Sequence, residues 1–194
     1  MLPHRTIVAI SGRKFHGKDT CANVLTEYAG FEHHNLADPV KDVCSEMFGI
    51  PRGYYDQSGM KEQRLKRWPY VTPRKTLQDL AQQMRDLYPD IWVQHFLRKL
   101  VTLDPNARIV ISDLRYPNEI DMVQQLGGVI CFVTRPELEA SSAKDTHESE
   151  SYFEHINTVA QYRFDNSQDL NYLRTQVIGF LKASGFIGDT AKAS

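Results

Sequence analysis

The chain has 194 residues, a formal net charge of −1, 41% hydrophobic residues and 24% charged ones. That size and balance suit one globular domain with a substantial core, and they exclude a global field that recruits nucleic acid or an anionic membrane. No apolar run approaches membrane-spanning length, and the N-terminus carries no signal-like h-region, so the expected location is cytoplasmic, with no nucleic-acid or membrane partner.

In chain order, Thr6–Ile10 reads as a buried strand, followed by the glycine-bounded turn Gly12-Arg13-Lys14-Phe15-His16-Gly17-Lys18-Asp19-Thr20. A helix over Lys18–Ala29 follows, with Cys21, Val24, Leu25 and Tyr28 on one face and Gly30 as its stop. A short strand, Phe31–Leu36, leads to Asp38, a candidate N-cap, with Pro39 as first helical residue. Val40, Val43, Cys44, Met47 and Phe48 then recur at helical spacing up to Gly49. Residues 50–72 are irregular and basic, as expected of an exposed flap or substrate-side insertion.

Thr72-Pro73 opens a further capped helix with Leu77, Leu80, Ala81, Met84 and Tyr88 apolar. Pro89-Asp90 restarts the chain into a helix carrying Trp92, Val93, Phe96, Leu97, Leu100 and Val101. Arg108–Ser112 is a buried-type strand ending at Asp113, and Pro117 starts a helix that Gly127-Gly128 ends. Val129–Val133 is a strand, Arg135–Glu150 is polar and weakly patterned, and Gln161–Phe164 is the last strand. Ser167 is the expected cap of a final helix, and the tail beyond Gly185 is expected to fray. Strands alternating with helices predict an α/β fold with a parallel sheet covered on both faces.

The turn after the first strand carries chemistry. Gly12 and Gly17 permit backbone N–H groups to converge on a β-phosphate at a helix N-terminus, and Lys18 adds charge toward the β- and γ-phosphates. The usual hydroxyl after the lysine is replaced by Asp19. Either Asp19 or Thr20 would then give Mg²⁺ its protein oxygen.

Arg74, Gln78 and Arg85 lie within about 40° of one another on their helix, beside rather than opposite its apolar face. Lys41 in a first helical turn is disfavoured by the helix dipole, which suggests another purpose. Asp113 and Arg115 end a strand on the same sheet edge as the phosphate loop, where parallel sheets bind ligands. Several arginines with few unassigned acids suit a phosphate acceptor, which needs no general base because its second pKa is near 6.

The three cysteines, Cys21, Cys44 and Cys131, fall on apolar stripes without metal-ligand spacing and are expected as buried thiols. The seven histidines likewise show no ligand pattern, with His147 set apart by the motif around it.

The Gly12–Thr20 loop with its Gly-Lys-Asp-Thr ending, Leu36–Lys41, Thr72-Pro73-Arg74 with Leu77-Gln78, Arg85, Asp90-Ile91-Trp92, Ser112–Glu119 and Asp145–Glu150 together resemble the phage-type deoxynucleoside monophosphate kinases. The resemblance spans about Arg5 to Leu181. It implies a P-loop NTPase fold with a five-stranded parallel core sheet and a small lid at about residues 135–155. It also implies ATP with Mg²⁺ as donor and a dNMP as acceptor, and is compatible with a homodimer.

By the same resemblance Gly12, Lys14, Gly17, Lys18, Asp19 and Thr20 would bind ATP, and Asp19, Thr20 and Asp113 the metal. Ala37, Asp38, Lys41, Arg74, Gln78, Arg85, Trp92, Asp113, Arg115, Asp145, His147 and Glu148 would contact the acceptor. Lys18, Arg115 and Arg135 would carry the transfer. The sequence departs from the family in its acidic lid and in Asp165-Asn166-Ser167, which lacks a glycine. A kinase for another phosphorylated metabolite of the phosphomevalonate type, and an ATP-binding sensor without transfer, are the alternatives.

Overall fold

The computed structural model describes residues 5–138 and 152–188. The chain divides into two compact units, Met1–Asn35 with Val101–Ser194, and Leu36–Leu100.

The first unit holds five strands, β1 (Ile7–Ser11), β2 (Glu32–His33), β3 (Ile109–Ile111), β4 (Val129–Thr134) and β5 (Tyr162–Asp165), ordered β2-β3-β1-β4-β5. All four pairings are parallel, with Ile7 opposite Ile109, Val8 opposite Val129 and Cys131 opposite Tyr162. Every residue of β1 is buried, as a strand covered on both faces requires.

Side-chain alternation sorts the two faces. Val8, Ile10, Val110, Cys131 and Val133 form a core with α1 (Lys18–Ala29) and the last helix, Leu170–Ala183. From the other face Phe132 meets Phe153 edge-on at 6.4 Å. Phe153 opens a seven-residue helix, Phe153–Val159, in a stretch between Glu150 and Gln161 for which no element was expected; Phe153 and Ile156, three apart, are its buried side chains. The helix α7 of the first unit is Pro117–Gln125, so Phe153–Val159 is α8 and Leu170–Ala183 is α9.

The second unit contains α2 (Asp38–Phe48), α3 (Gly53–Asp56), α4 (Ser58–Lys61) and α5 (Pro73–Leu87), and α6 (Ile91–Thr102) begins in it. Its core joins Val40, Cys44, Ile50, Tyr55 and Trp92, with Leu77 and Met84 of α5 packed against them. Among the described residues no helix is long and apolar enough to cross a membrane.

Several expectations needed correction. β2 covers only Glu32–His33 rather than Phe31–Leu36, because Phe31 turns into the core and the Asn35 side chain takes the next ladder position, accepting from Ser112 N at 3.1 Å. Asp38 is the first residue of α2 and not its cap; its carboxylate faces Lys41 and Arg52. Residues 50–72 are less exposed than expected, since Ile50 and Tyr55 are fully buried and the Tyr55 hydroxyl lies 3.2 Å from Thr76 Oγ1.

The last helix is capped by Asp169, which accepts from Tyr172 N at 2.8 Å. Ser167 instead donates its hydroxyl to Asp165 at 2.7 Å. Beyond Gly185 the chain is not frayed at once: Phe186 packs edge-on to Phe31 at 5.3 Å, and Arg108 Nη1 donates to the Phe186 carbonyl at 3.1 Å.

All three cysteines are free and buried, as expected. Burial pushes the Cys21 thiol up to about 12 and the Cys44 thiol up to about 11, and raises Cys131 as well. The thiolate is the reactive form, so none is available near neutrality. At pH 8 a chromogenic disulfide should titrate no fast-reacting thiol in the folded protein and three after denaturation; one rapid equivalent in the native state would contradict this packing.

Candidate active site

In the first unit the site is built where β1 gives way to α1. β1 lies between β3 and β4, so the chain leaves the sheet where the strand order reverses, the crevice position of open parallel sheets. Two glycines make the turn. Gly12 has φ +145, and a Cβ there would lie 2.4 Å from the Val133 carbonyl oxygen. Gly17, at φ +103, occupies the left-handed cap position of α1, and a Cβ would meet Asn166 Nδ2 at 2.9 Å. The positive φ at both positions, with the backbone contact at Gly12, disfavours any other residue in either place.

The loop is tied to its surroundings on three sides. Asn166 Nδ2 donates to the His16 carbonyl at 3.0 Å, and Asn166 N donates to Thr134 O at 2.8 Å. His16 is buried, its Nδ1 lying 3.3 Å from both the Val133 carbonyl and the Arg135 amide nitrogen. The Arg13 guanidinium lies 5.7 Å from the Phe153 ring centroid. Thus Asn166, which stands in a turn lacking the family's glycine, supports the phosphate loop itself.

Lys18 arches back over the loop, donating at 2.7 Å to both the Gly12 and the Arg13 carbonyls. Its ammonium therefore rests against two loop carbonyls beside the N-terminus of α1, and an anion entering there meets a positive centre. Asp19 is exposed in the first turn of α1, where a carboxylate is favoured by the dipole, and Thr20 is half-buried beside it. Asp19 Oδ1 accepts from Ser112 Oγ at 2.8 Å.

Asp113 and Arg115 follow β3 in a turn held at two points. Ser11 Oγ donates to the Leu114 carbonyl at 2.7 Å. Glu119, only 3% exposed, accepts from the backbone amides of Arg115 at 2.8 Å and Tyr116 at 3.0 Å. The first unit thus brings Gly12, Lys14, Gly17, Lys18, Asp19, Thr20, Asp113, Arg115 and Arg135 to the carboxyl edge of its sheet.

Magnesium uses few protein oxygens when it binds a nucleotide, keeping phosphates and waters for the rest of its shell. Asp19, Thr20 and Asp113 offer that donor chemistry. Among the described residues no group of three or more His, Cys, Asp or Glu could hold a metal ion.

The second unit carries Ala37, Asp38, Lys41, Arg74, Gln78, Arg85 and Trp92. Lys41 is buried at 8% exposure, with Nζ 3.2 Å from Asp38 and 3.3 Å from Asp56. Arg52 crosses the same acids, reaching Asp42 at 2.6 Å, Asp56 at 2.5 Å and Asp38 at 3.1 Å. Burial would raise the Asp56 carboxyl, but hydrogen bonding and charge from Arg52 and Lys41 outweigh it and hold it below its ordinary value. Sequence reasoning missed Arg52 and Asp56; their i,i+4 spacing was the available signal.

Arg74, Gln78 and Arg85 are half-buried on α5, in keeping with an edge-of-core stripe. Arg74 Nε pairs with Glu62 at 2.6 Å. Trp92 is buried in the core of this unit, its indole donating to Ala81 O at 3.4 Å. Asp145, His147 and Glu148, and most of the segment expected as a lid, lie outside the described residues.

No family model matches this sequence. The chain is 36% identical over 157 residues, 74% of its length and 80% of the relative's, to the "Putative deoxynucleotide monophosphate kinase" of Acanthamoeba polyphaga mimivirus. Two solved structures share its fold. Dephospho-CoA kinase from Campylobacter jejuni superposes with a TM-score of 0.52 at 14% identity, covering 93% of this chain and 97% of that one. TT1252 from Thermus thermophilus does so with 0.54 at 16%, covering 95% and 100%.

Proposed function

The chain belongs to the deoxynucleotide monophosphate kinase family, and from that premise we propose that it transfers the γ-phosphoryl group of ATP to a deoxynucleoside 5′-monophosphate, giving dNDP and ADP. Its fold is the P-loop NTPase fold, and it is a phosphotransferase. The observation that carries the substrate reading is that the chain holds both a glycine-walled phosphate loop, in one unit, and a stripe of two arginines and an amide, Arg74, Gln78 and Arg85, on α5 of the other. A second anion site has no use in a sensor. The phosphomevalonate-type reading is not favoured either, since the curated relative is named as a nucleotide kinase.

The loop amides between Gly12 and Lys18 hold the β-phosphate, and Lys18 neutralises charge between the β- and γ-phosphates. Asp19 or Thr20, with Asp113, would hold magnesium, which would supply Lewis-acid neutralisation of the phosphate oxygens. Arg115 and Arg135 meet the charge that spreads over the transferring group. Lys41, Arg74, Gln78 and Arg85 hold the acceptor monophosphate and its base. The acceptor phosphate is already nucleophilic near neutrality, so positioning and charge neutralisation suffice and no general base is needed.

Coupled measurement of ADP release against deoxynucleoside monophosphates, ribonucleoside monophosphates and phosphomevalonate tests this directly. Stimulation by at least one dNMP is the expected outcome; a panel in which no dNMP accelerates ADP release would sink it. Arg74→Ala should raise the dNMP KM or lower kcat by about 10- to 100-fold while ATP affinity changes less than about twofold. Loss of ATP binding in that variant would contradict the division of labour.

A further inference from the structure

Ser112, the residue after β3, is 2% exposed and has three polar neighbours. Its Oγ lies 2.8 Å from Asp19 Oδ1, 2.8 Å from His33 Nε2 and 3.2 Å from Asn35 Oδ1. The register explains the meeting. His33 of β2 pairs with Val110, and Ser112 stands two residues further along β3 on the same face. That face is the one covered by α1, whose first turn carries Asp19.

The direction of each bond follows from proton counting. A hydroxyl has one hydrogen, and a carboxylate can only accept, so the Ser112 proton goes to Asp19 in a charge-assisted bond. Asn35 Oδ1 is the longer contact and already accepts from Ser112 N at 3.1 Å. Toward His33 the Ser112 oxygen can then only accept, which places the hydrogen of the ring on Nε2. The run is His33 Nε2–H to Ser112 Oγ–H to Asp19 Oδ1, each donor polarising the next.

Asp19 is exposed, so packing does not fix its carboxylate; the bond from buried Ser112 does. We propose that His33 is a positioning residue for Asp19: through Ser112 it holds that carboxylate so that Asp19, rather than Thr20, gives the magnesium of bound ATP its protein oxygen. This rests on the ATP-dependent reading above. Groups that orient a metal ligand commonly change affinity by about 10- to 100-fold when removed. His33 is exposed on a two-residue strand, so replacing it disturbs little packing.

The test uses the full-length protein with Mn²⁺ in place of Mg²⁺, reading free Mn²⁺ by electron paramagnetic resonance in the presence of saturating ATP. ATP affinity without metal is measured separately in EDTA. His33→Phe and Ser112→Ala should each weaken Mn²⁺ binding about tenfold and change metal-free ATP affinity less than about twofold. His33→Gln, which keeps an N–H toward the same oxygen, should stay within about threefold of the parent, and in an Asp19→Ala background His33→Phe should add nothing.

Unchanged Mn²⁺ affinity in His33→Phe overturns the proposal, as does a His33→Gln variant as weak as His33→Phe or a loss that persists without Asp19. Should Ser112→Ala fail to fold, the two His33 variants decide alone. A parent protein that binds neither ATP nor Mn²⁺ with ATP refutes the kinase reading along with this one. If the parent binds both and His33→Phe does too, this inference alone falls.

Discussion

Lys18→Ala is expected to lower kcat for dNMP phosphorylation by about a thousandfold, with the midpoint of thermal unfolding almost unmoved. The two effects separate because the ammonium does different work in the two states. Without nucleotide it bridges the Gly12 and Arg13 carbonyls from a half-buried position, and such bonds contribute only about 1 kcal/mol each net of solvent. In the proposed transfer it would face charge that grows on the β- and γ-phosphates, and removing one such donor costs about 10²–10³ in rate. Lys18→Arg should not restore activity, since a planar fork cannot occupy the place of a compact point charge. Steady-state ADP release with calorimetric melting checks both halves; an active Lys18→Ala enzyme would refute the site assignment.

Gly12→Ala is the second large effect, and it acts through the backbone. Its Cβ would lie 2.4 Å from the oxygen and 3.3 Å from the carbon of the Val133 carbonyl, and β4 cannot retreat while it pairs with both β1 and β5. The loop must move instead, from a φ of +145 that alanine rarely adopts. Strain of about 1–3 kcal/mol is expected in urea unfolding. Displacement of the loop amides by about an ångström should weaken ATP-dependent catalysis about 10²-fold or more. Gly59→Ala, where a Cβ meets nothing within 4 Å, is the matched control and should fall within about 0.5 kcal/mol of the parent. Equal behaviour of the two variants would remove the steric argument.

Local chemistry was readable where one signal acted without competition. The bounds of α1 follow from the loop before it and Gly30 after it, and Thr72 caps α5 through Lys75 N at 3.1 Å as its neighbours predict. Asp38 and Ser167 had the residue type of a cap and were not caps, because better partners stood nearby. Asp38 found Lys41 and Arg52, and Ser167 closed a turn on Asp165. Helix α8 is too short for its period to register before the fold buries Phe153 and Ile156.

The phosphate loop was legible for the same reason as α1: it is contiguous. What the sequence hid is the company its residues keep. Ser112 is 93 positions from Asp19 and 79 from His33, and Asn166 is 150 from His16. Spacing along a chain says nothing about such pairs, since strand order decides them. Arg52 and Asp56 were hidden differently, inside a basic stretch whose polar composition resembled a solvated loop.

The strand order also has a consequence for how the polypeptide is made. β1 emerges first, yet its neighbours are β3 at residues 109–111 and β4 at residues 129–134. As translation proceeds, an entirely apolar segment, Ile7–Ile10, and the nucleotide loop attached to it have no strand of the sheet to pair with until residues 109–111 are made. The helices between Leu36 and Leu100 are meanwhile complete and rich in local contacts. Such topology makes closure of the sheet a late, long-range event, and it leaves the nascent chain dependent on whatever shields that first apolar stretch at the ribosome.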